Sequence, residues 1–435
     1  SSFKHDFIDE LDEIPFLDYD MLDVEGYKIN PTATRYSVSD NTMAKSNGGN
    51  GKILEENIGK SNENNGKILE EYSGKHVNDE EYSSKETNDV GKTNLYAMPI
   101  MTSRGCPFRC TFCAAHATHG RKMRYHSVER VVNDLKLMKE KYNINGVVVQ
   151  DDHFMGREGG RDRPYDVVSG IHSLNLDMFF QNALAMYALV PKFLNLLKKS
   201  GVNELVLPIE SGSSRVLKEI MRKPLKLNII KEVAKNCRDA GIYTDCNIVL
   251  GMPGETKEDI DECRKSLKSL YTDWFRIFIY TPLPGSEAYE TCETNDYFDK
   301  KNLTTANYKR AVVQTEHMTS EYVQYMSYFM NIELNFVYNS NIRLKNYKTA
   351  LESFLKVLKV KSDHALAHYY AGYCYEMMDK FSKAAQHYAK AEVLTTETDF
   401  WDVFIQEFNI PINNKAEKYM KYSTPDSLQL KNLAL

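Results

Sequence analysis

The chain has 435 residues, of which 42% are apolar and 26% charged, with a formal net charge of −5. That length accommodates two or three domains with a real core, and the mild acidity excludes a broad electrostatic attraction to nucleic acid or to a membrane surface. No run approaches the roughly 18 apolar residues of a spanning helix, no signal-like start is present, and eight cysteines without a regular framework fit a reducing cytoplasm.

The chain opens Ser1-Ser2-Phe3, without a methionine, and reads as a fragment of a longer protein. Residues 6–25 form an acidic strip with regularly placed apolar residues and one proline. They read either as an ordinary linker or as a connector between domains. Residues 38–94 differ in kind. Gly-Lys-Ile-Leu-Glu-Glu at 51–56 returns at 66–71, a period of fifteen, and Glu-Glu-Tyr-Ser-Gly-Lys at 70–75 echoes at 80–85. Rich in Asn, Gly, Ser, Lys and Glu, this segment cannot bury enough surface to offset its ordering entropy. It is expected to be a disordered low-complexity insertion.

From Leu95 onward apolar strands alternate with amphipathic helices, the pattern of a parallel sheet with right-handed crossovers. Strands are predicted at 96–102, 146–150, 178–182, 204–209, 244–250 and 274–280. Helices are predicted at 128–141, 191–199, 227–240 and 257–271, with Ser127 capping the first. The remainder, 316–435, reads as helical. There Tyr347, Ala350 and Phe354 recur 34 residues later as Phe381, Ala384 and Tyr388. A 34-residue period with small and aromatic residues at these offsets is a tetratricopeptide signal, although about one and a half repeats fall short of the three usually needed for independent stability. A plain helical hairpin is the alternative.

The chemistry concentrates in Cys106-Pro107-Phe108-Arg109-Cys110-Thr111-Phe112-Cys113, at the end of the first strand. Three thiols spaced C-x3-C-x2-C suit an iron–sulfur cluster. A cube of four irons held by three sulfurs keeps one iron open to a small molecule, by the logic that makes open metal positions reactive. A zinc finger needs a second hook or two histidines farther along; His116 and His119 follow Cys113 too closely. Cys237, Cys246, Cys263, Cys292 and Cys374 are scattered in apolar or helical contexts and read as buried thiols.

The cysteine spacing, with Phe112 as the aromatic before the third cysteine, resembles the radical S-adenosylmethionine (radical SAM) superfamily. Thr102-Ser103-Arg104-Gly105 before it resembles the loop entry of that superfamily's cobalamin-linked branch. The resemblance implies an α/β fold, a partial (β/α)6 barrel over 95–315, followed by the tetratricopeptide-like region. It implies that Cys106, Cys110 and Cys113 hold a [4Fe–4S] cluster. S-adenosylmethionine bound to the open iron would then be cleaved reductively to a 5′-deoxyadenosyl radical. On the same reading, residues 1–37 resemble the connector from an N-terminal cobalamin domain lying upstream.

In such a barrel the reacting edge is the C-terminal end of the strands. The resemblance places there Asp151 or Asp152 near the methionyl amino group, although the superfamily's Gly-Gly-Glu form is absent and an acidic pair also caps turns. It places Glu210 at the ribose hydroxyls with Ser211 beside it among the cofactor-binding residues, and Gly212 lets the chain turn closely past the ligand. Val249 and Gly251 fall near adenine in a partial match, Asn247 replacing a glycine. The turn Gly251-Met252-Pro253-Gly254-Glu255-Thr256 is similar to the cobalamin-linked branch, and Glu255 also suits the start of a helix. Arg124 reads as a carboxylate partner or a solvated side chain, and His153 and Tyr187 as proton donors or radical quenchers.

The expected function is a radical SAM enzyme, cobalamin-assisted methylation of an unactivated carbon being the foremost outcome. Its expected partners are a small-molecule or peptide substrate, an electron donor such as flavodoxin or ferredoxin, and a protein bound by the helical region. A methylthiotransferase would need three further upstream cysteines, which residues 1–105 lack. A non-catalytic cluster-bearing scaffold is the third reading.

Overall fold

A computed structural model of the chain describes residues 7–16, 19, 95–156, 160, 162–303, 308–413 and 415–419. The low-complexity segment 38–94 lies outside them, as does the connector apart from 7–16 and 19. The described residues fall into two compact units, an α/β unit ending at Leu344 and a helical unit beginning at Lys345.

In the α/β unit, β1 (Ala97–Ile100) is followed by the two-residue strand β2 (Ser103–Arg104), the short helix α1 (Ala115–His119) and β3 (Arg124–Tyr125). Helix α2 (Val128–Tyr142) starts where the Ser127 hydroxyl accepts the Arg130 N–H at 3.1 Å, a side-chain cap for an orphan amide. There follow β4 (Gly146–Val149), α3 (Arg163–Ser173), β5 (Asp177–Phe180), α4 (Pro191–Lys199) and β6 (Glu204–Glu210). A π-helical turn (Val216–Ile220) leads to α5 (Asn228–Asp239), β7 (Tyr243–Leu250), α6 (Lys257–Lys268) and β8 (Trp274–Ile279). Helix α6 carries a full capping box between Thr256 and Asp259. Helix α3 had no counterpart among the predicted elements.

The six longer strands form two three-stranded sheets, β1-β4-β5 and β6-β7-β8, parallel throughout. Strand β4 is buried along its whole length, which explains the unbroken Gly-Val-Val-Val run in place of an alternating one. The short β2 and β3 are antiparallel to each other, Ser103 opposite Tyr125 and Arg104 opposite Arg124. They close the base of the cysteine loop.

Helices α7 (Glu287–Thr294), α8 (Lys300–Leu303), α9 (Ser320–Ile332) and α10 (Ser340–Arg343) complete this unit, so the expected boundary at 315 lies inside it. The reason is at residues 333–337, a π-helical turn that continues α9. Its buried Glu333 receives Arg264 at 2.8 Å and Lys268 at 2.9 Å from α6. Its buried Asn335 both accepts the Phe275 N–H and donates to the Phe275 carbonyl, each at 2.8 Å, along the free side of β8.

The helical unit holds α11 (Tyr347–Val360), α12 (Ala365–Glu376), α13 (Phe381–Thr396), α14 (Asp402–Glu407) and α15 (Lys415–Tyr419). Of the residues that recur with the 34-residue period, Ala350, Phe354, Ala384 and Tyr388 are buried in its core and Tyr347 and Phe381 are partly buried.

Candidate active site

The cysteine loop runs between β2 and β3 and is closed by the Cys106 N–H, which donates to the Gly120 carbonyl at 3.2 Å. Gly105 starts it with φ +98°, and a Cβ there would sit 2.3 Å from the Lys122 carbonyl oxygen. Only glycine combines that left-handed backbone with that approach. The far side of the loop is tied down by Thr111. Its N–H donates to the Met221 carbonyl at 3.0 Å, its hydroxyl to the Ile220 carbonyl at 2.7 Å, and its carbonyl accepts the Ala288 N–H at 2.9 Å. Phe112 packs against the buried cluster of Val216, Leu217, Met221, Met252 and Tyr280, and Val249 packs on the same cluster.

The three cysteines are free, partly buried, and within electrostatic reach of one another. Burial raises the Cys106 thiol and pushes the Cys110 thiol up to about 11. Among the described residues no three His, Cys, Asp or Glu side chains converge on a single ion. A cube asks for something else, since each thiolate serves a different iron. Hydrogen bonds to sulfur are in place, from the Phe108 N–H to Cys106 and from the Ala115 N–H to Cys113 at 3.5 Å. The loop therefore fits an iron–sulfur cluster.

Three charged residues, Glu210, Lys223 and Asp152, lie around these thiols. At the end of β6 the register with β7 breaks between Leu207 and Glu210, and Glu210 takes φ +66°. A bulge with a left-handed residue re-aims a side chain at a functional edge and stores backbone strain there. Glu210 thereby lies buried beside Cys110, its Oε1 3.3 Å from the Lys223 ammonium. Lys223 also lies 5.9 Å from the Phe112 ring centre and within reach of Cys106 and Cys110. The sequence reading missed Lys223; the proline after it marks a turn but nothing local marks the contact.

The acidic pair after β4 is divided. Asp151 uses both oxygens on the loop entry, accepting the Thr102 N–H, the Thr102 hydroxyl and the Ser103 hydroxyl, all at 2.6 Å. Burial raises its pKa against these bonds and the nearby Arg163. Asp152 is the one near Cys106, and its Oδ2 lies 2.7 Å from the His119 ring nitrogen.

Other residues depart from expectation. Gly212 is tight against α6: a Cβ would meet the Cys263 carbonyl oxygen at 2.7 Å. Its N–H donates to the Cys263 sulfur at 3.0 Å, and the buried Ser211 hydroxyl accepts the Ser213 N–H at 3.1 Å. Arg124 is buried, not solvated, donating to the Ile8 and His119 carbonyls with its guanidinium 4.9 Å from the Phe7 ring centre. Glu255 sits inside its own turn, one oxygen accepting the Gly251 N–H at 2.6 Å and the Met252 N–H at 3.1 Å. Burial pushes it up to about 8. His153 and Tyr187 do meet, Oη to Nε2 at 3.3 Å, and His153 packs edge-on against Phe108 of the cysteine loop.

The chain is similar to several curated proteins. An uncharacterized methyltransferase of Pyrococcus horikoshii is 28% identical over 53% of this chain and 51% of its own length. The cytidylyl-2-hydroxyethylphosphonate methyltransferase of Streptomyces wedmorensis is 28% identical over 49% of this chain and 41% of its own. The tRNA-2-methylthio-N(6)-dimethylallyladenosine synthase of Endomicrobium trichonymphae is 26% identical over 51% of this chain and 53% of its own. The chain thus spans about half the length of the curated relatives it matches. Residues 100–267 match the model of the Radical SAM superfamily, and the chain carries a radical SAM domain.

Proposed function

We propose that this chain catalyses a radical SAM reaction, with cobalamin-assisted methylation of an unactivated carbon as the outcome. The observation that carries the reading is the convergence of Glu210, Lys223 and Asp152 on a loop of three free thiols. On this reading Cys106, Cys110 and Cys113 hold a [4Fe–4S] cluster. When bound, the cluster supplies the single electron that cleaves S-adenosylmethionine to a 5′-deoxyadenosyl radical.

The chain's own residues do the rest. Asp152, steadied by His119, receives the methionyl ammonium. Glu210 accepts the ribose hydroxyls as charge-assisted hydrogen bonds, and Lys223 holds that carboxylate in place. Val249 and Gly251 form the adenine wall at the end of β7. Asp151 keeps the loop entry fixed, and Ser211 keeps the turn after Glu210 fixed. The six parallel strands are read as a partial (β/α)6 barrel and the helical unit as tetratricopeptide-like. The substrate is a small molecule or peptide, and the electron comes from a flavodoxin- or ferredoxin-like donor. The connector reading of residues 1–37 and the relatives' methyltransferase names support the methylation outcome.

The test is anaerobic reconstitution with iron and sulfide, then a dithionite-reduced assay for 5′-deoxyadenosine, comparing wild type with Cys110→Ala. Product that vanishes in the variant supports the reading. No product and no cluster absorbance in wild type overturns it. The methylthiotransferase reading is favoured by the tRNA-modifying relative. It requires a second cluster, so about eight irons per active chain instead of about four would select it.

A further inference from the structure

The groove between α12 and α13 contains a cation. Lys415, from α15, puts its ammonium 5.3 Å from the Tyr369 ring centre, 5.4 Å from Tyr373 and 4.8 Å from Tyr388. The same nitrogen lies 3.5 Å from Glu376 Oε2 and 3.3 Å from the Tyr388 hydroxyl, which itself donates to Glu376 at 2.5 Å. Lys418, one turn on, lies 3.7 Å from the other Glu376 oxygen. Tyr369, Tyr373 and Glu376 share one face of α12, and Tyr388 faces them from α13.

Filling a groove between two helices asks for apolar side chains. Three ring faces around one ammonium, with a carboxylate behind, is the chemistry by which proteins recognise cations. The part that supplies the ammonium is slight. Helix α15 has five residues, seated by the buried Ala416, whose N–H donates to Glu392 at 3.0 Å, and by its two lysines. A five-residue helix has almost no stability of its own in water.

We propose that this groove is a recognition site for a helical peptide of a partner protein carrying Lys-x-x-Lys, and that residues 415–419 occupy it in the free chain as an internal stand-in. The first lysine of the partner would take the tyrosine cage and the second the outer oxygen of Glu376. The proposal does not depend on radical chemistry, and its test reads binding alone.

The probe is a fluorescein-labelled peptide copying residues 410–420, titrated by anisotropy against the full chain and its Lys415→Met variant. A cage contact of about 1–2 kcal/mol corresponds to roughly ten-fold in affinity. Lys415→Met is therefore expected to bind the probe about ten-fold more tightly than wild type. A probe with norleucine at both lysine positions should lose about that factor, as should Tyr373→Ala added to Lys415→Met. Equal binding by wild type and Lys415→Met overturns the proposal, as does equal binding of the norleucine probe, which would make the groove merely apolar. Should Lys415→Met lose its helical circular dichroism, a chain ending at residue 414 takes its place. Loss of helix in both shows that α15 is an integral part of the fold and also overturns the proposal.

Discussion

Each unit buries ionisable groups whose shifts tie its folding to pH, a carboxyl in one and a set of histidines in the other. In the α/β unit burial raises an acid, Glu255, which faces Asp259, Arg215, Cys263 and Tyr322. In the helical unit the buried groups are bases. His364 accepts the Ala367 N–H and packs on Trp401, and His368 and His387 share a contact between ring nitrogens at 3.0 Å. Their neighbours are Lys361, Asp363, Lys383 and Lys390. Desolvation penalises the charged form in each case, and so moves acid and base in opposite directions. One protein thus contains one unit whose buried acid is a liability in alkali and another whose buried bases are a liability in acid.

The largest effect expected from this contrast is acid unfolding of the helical unit. Burial lowers His364 to about 3, His368 to about 4 and His387 to about 3, from an ordinary 6.5. Below pH 6.5 the unfolded chain takes up protons that the folded unit refuses. Stability present above 6.5 is therefore lost as pH falls toward 3–4, on the order of several kcal/mol over the three groups. The chain has two tryptophans, Trp274 in one unit and Trp401 in the other. Trp401 fluorescence in a Trp274→Phe chain should report a transition between pH 6 and 4 before the α/β unit melts. Coincident transitions of both units would break the comparison.

Next comes the alkaline side. Glu255 is raised from 4.5 to about 8, so between those values the native state keeps a proton that the unfolded chain has released. Its contribution is complete below 4.5 and is lost as pH rises through about 8. Glu255→Gln keeps an oxygen for the Gly251 and Met252 amides and removes the ionisation. It should stabilise the α/β unit by about 2–4 kcal/mol at pH 8.5 and have little effect at pH 5, as measured by urea unfolding at the two pH values.

A smaller effect sharpens the contrast with a buried acid that is paired. Glu333 lies between Arg264 and Lys268. Removing a buried member of an ion cluster leaves charge uncompensated; with both cations partly exposed, Glu333→Ala should cost about 2 kcal/mol. Thermal melts of the α/β unit would measure it. No loss would mean that the π turn is held by Asn335 and apolar packing alone.

How much of this was legible in the sequence depended on the range of each interaction. The six strands appeared as short apolar runs bounded by turn residues, and Ser127 and the cysteine loop announced themselves within a few positions. Helix α3 was missed because residues 163–173 have little charge contrast around the helix. Other features arise from partners far apart in the chain: Asp151 with Thr102 and Ser103, Glu210 with Lys223 across a bulge, and Arg124 with Ile8. No local pattern encodes those pairings. The two-residue strands β2 and β3 are too short to show a period. The cage around Lys415 has no local signature either, since its rings come from two helices and its ammonium from a third.

The Asn335 side chain has one more effect. A strand at the end of a sheet displays a ladder of open donors and acceptors, and a second molecule can add its own strand there, then a third. Along β8 that ladder is stoppered twice: Asn335 answers both backbone groups of Phe275, and the Tyr308 carbonyl takes the Ile279 N–H at 2.8 Å. With the edge of Trp-Phe-Arg-Ile-Phe-Ile capped in this way, that β-forming run offers fewer open backbone groups on which a further strand could template.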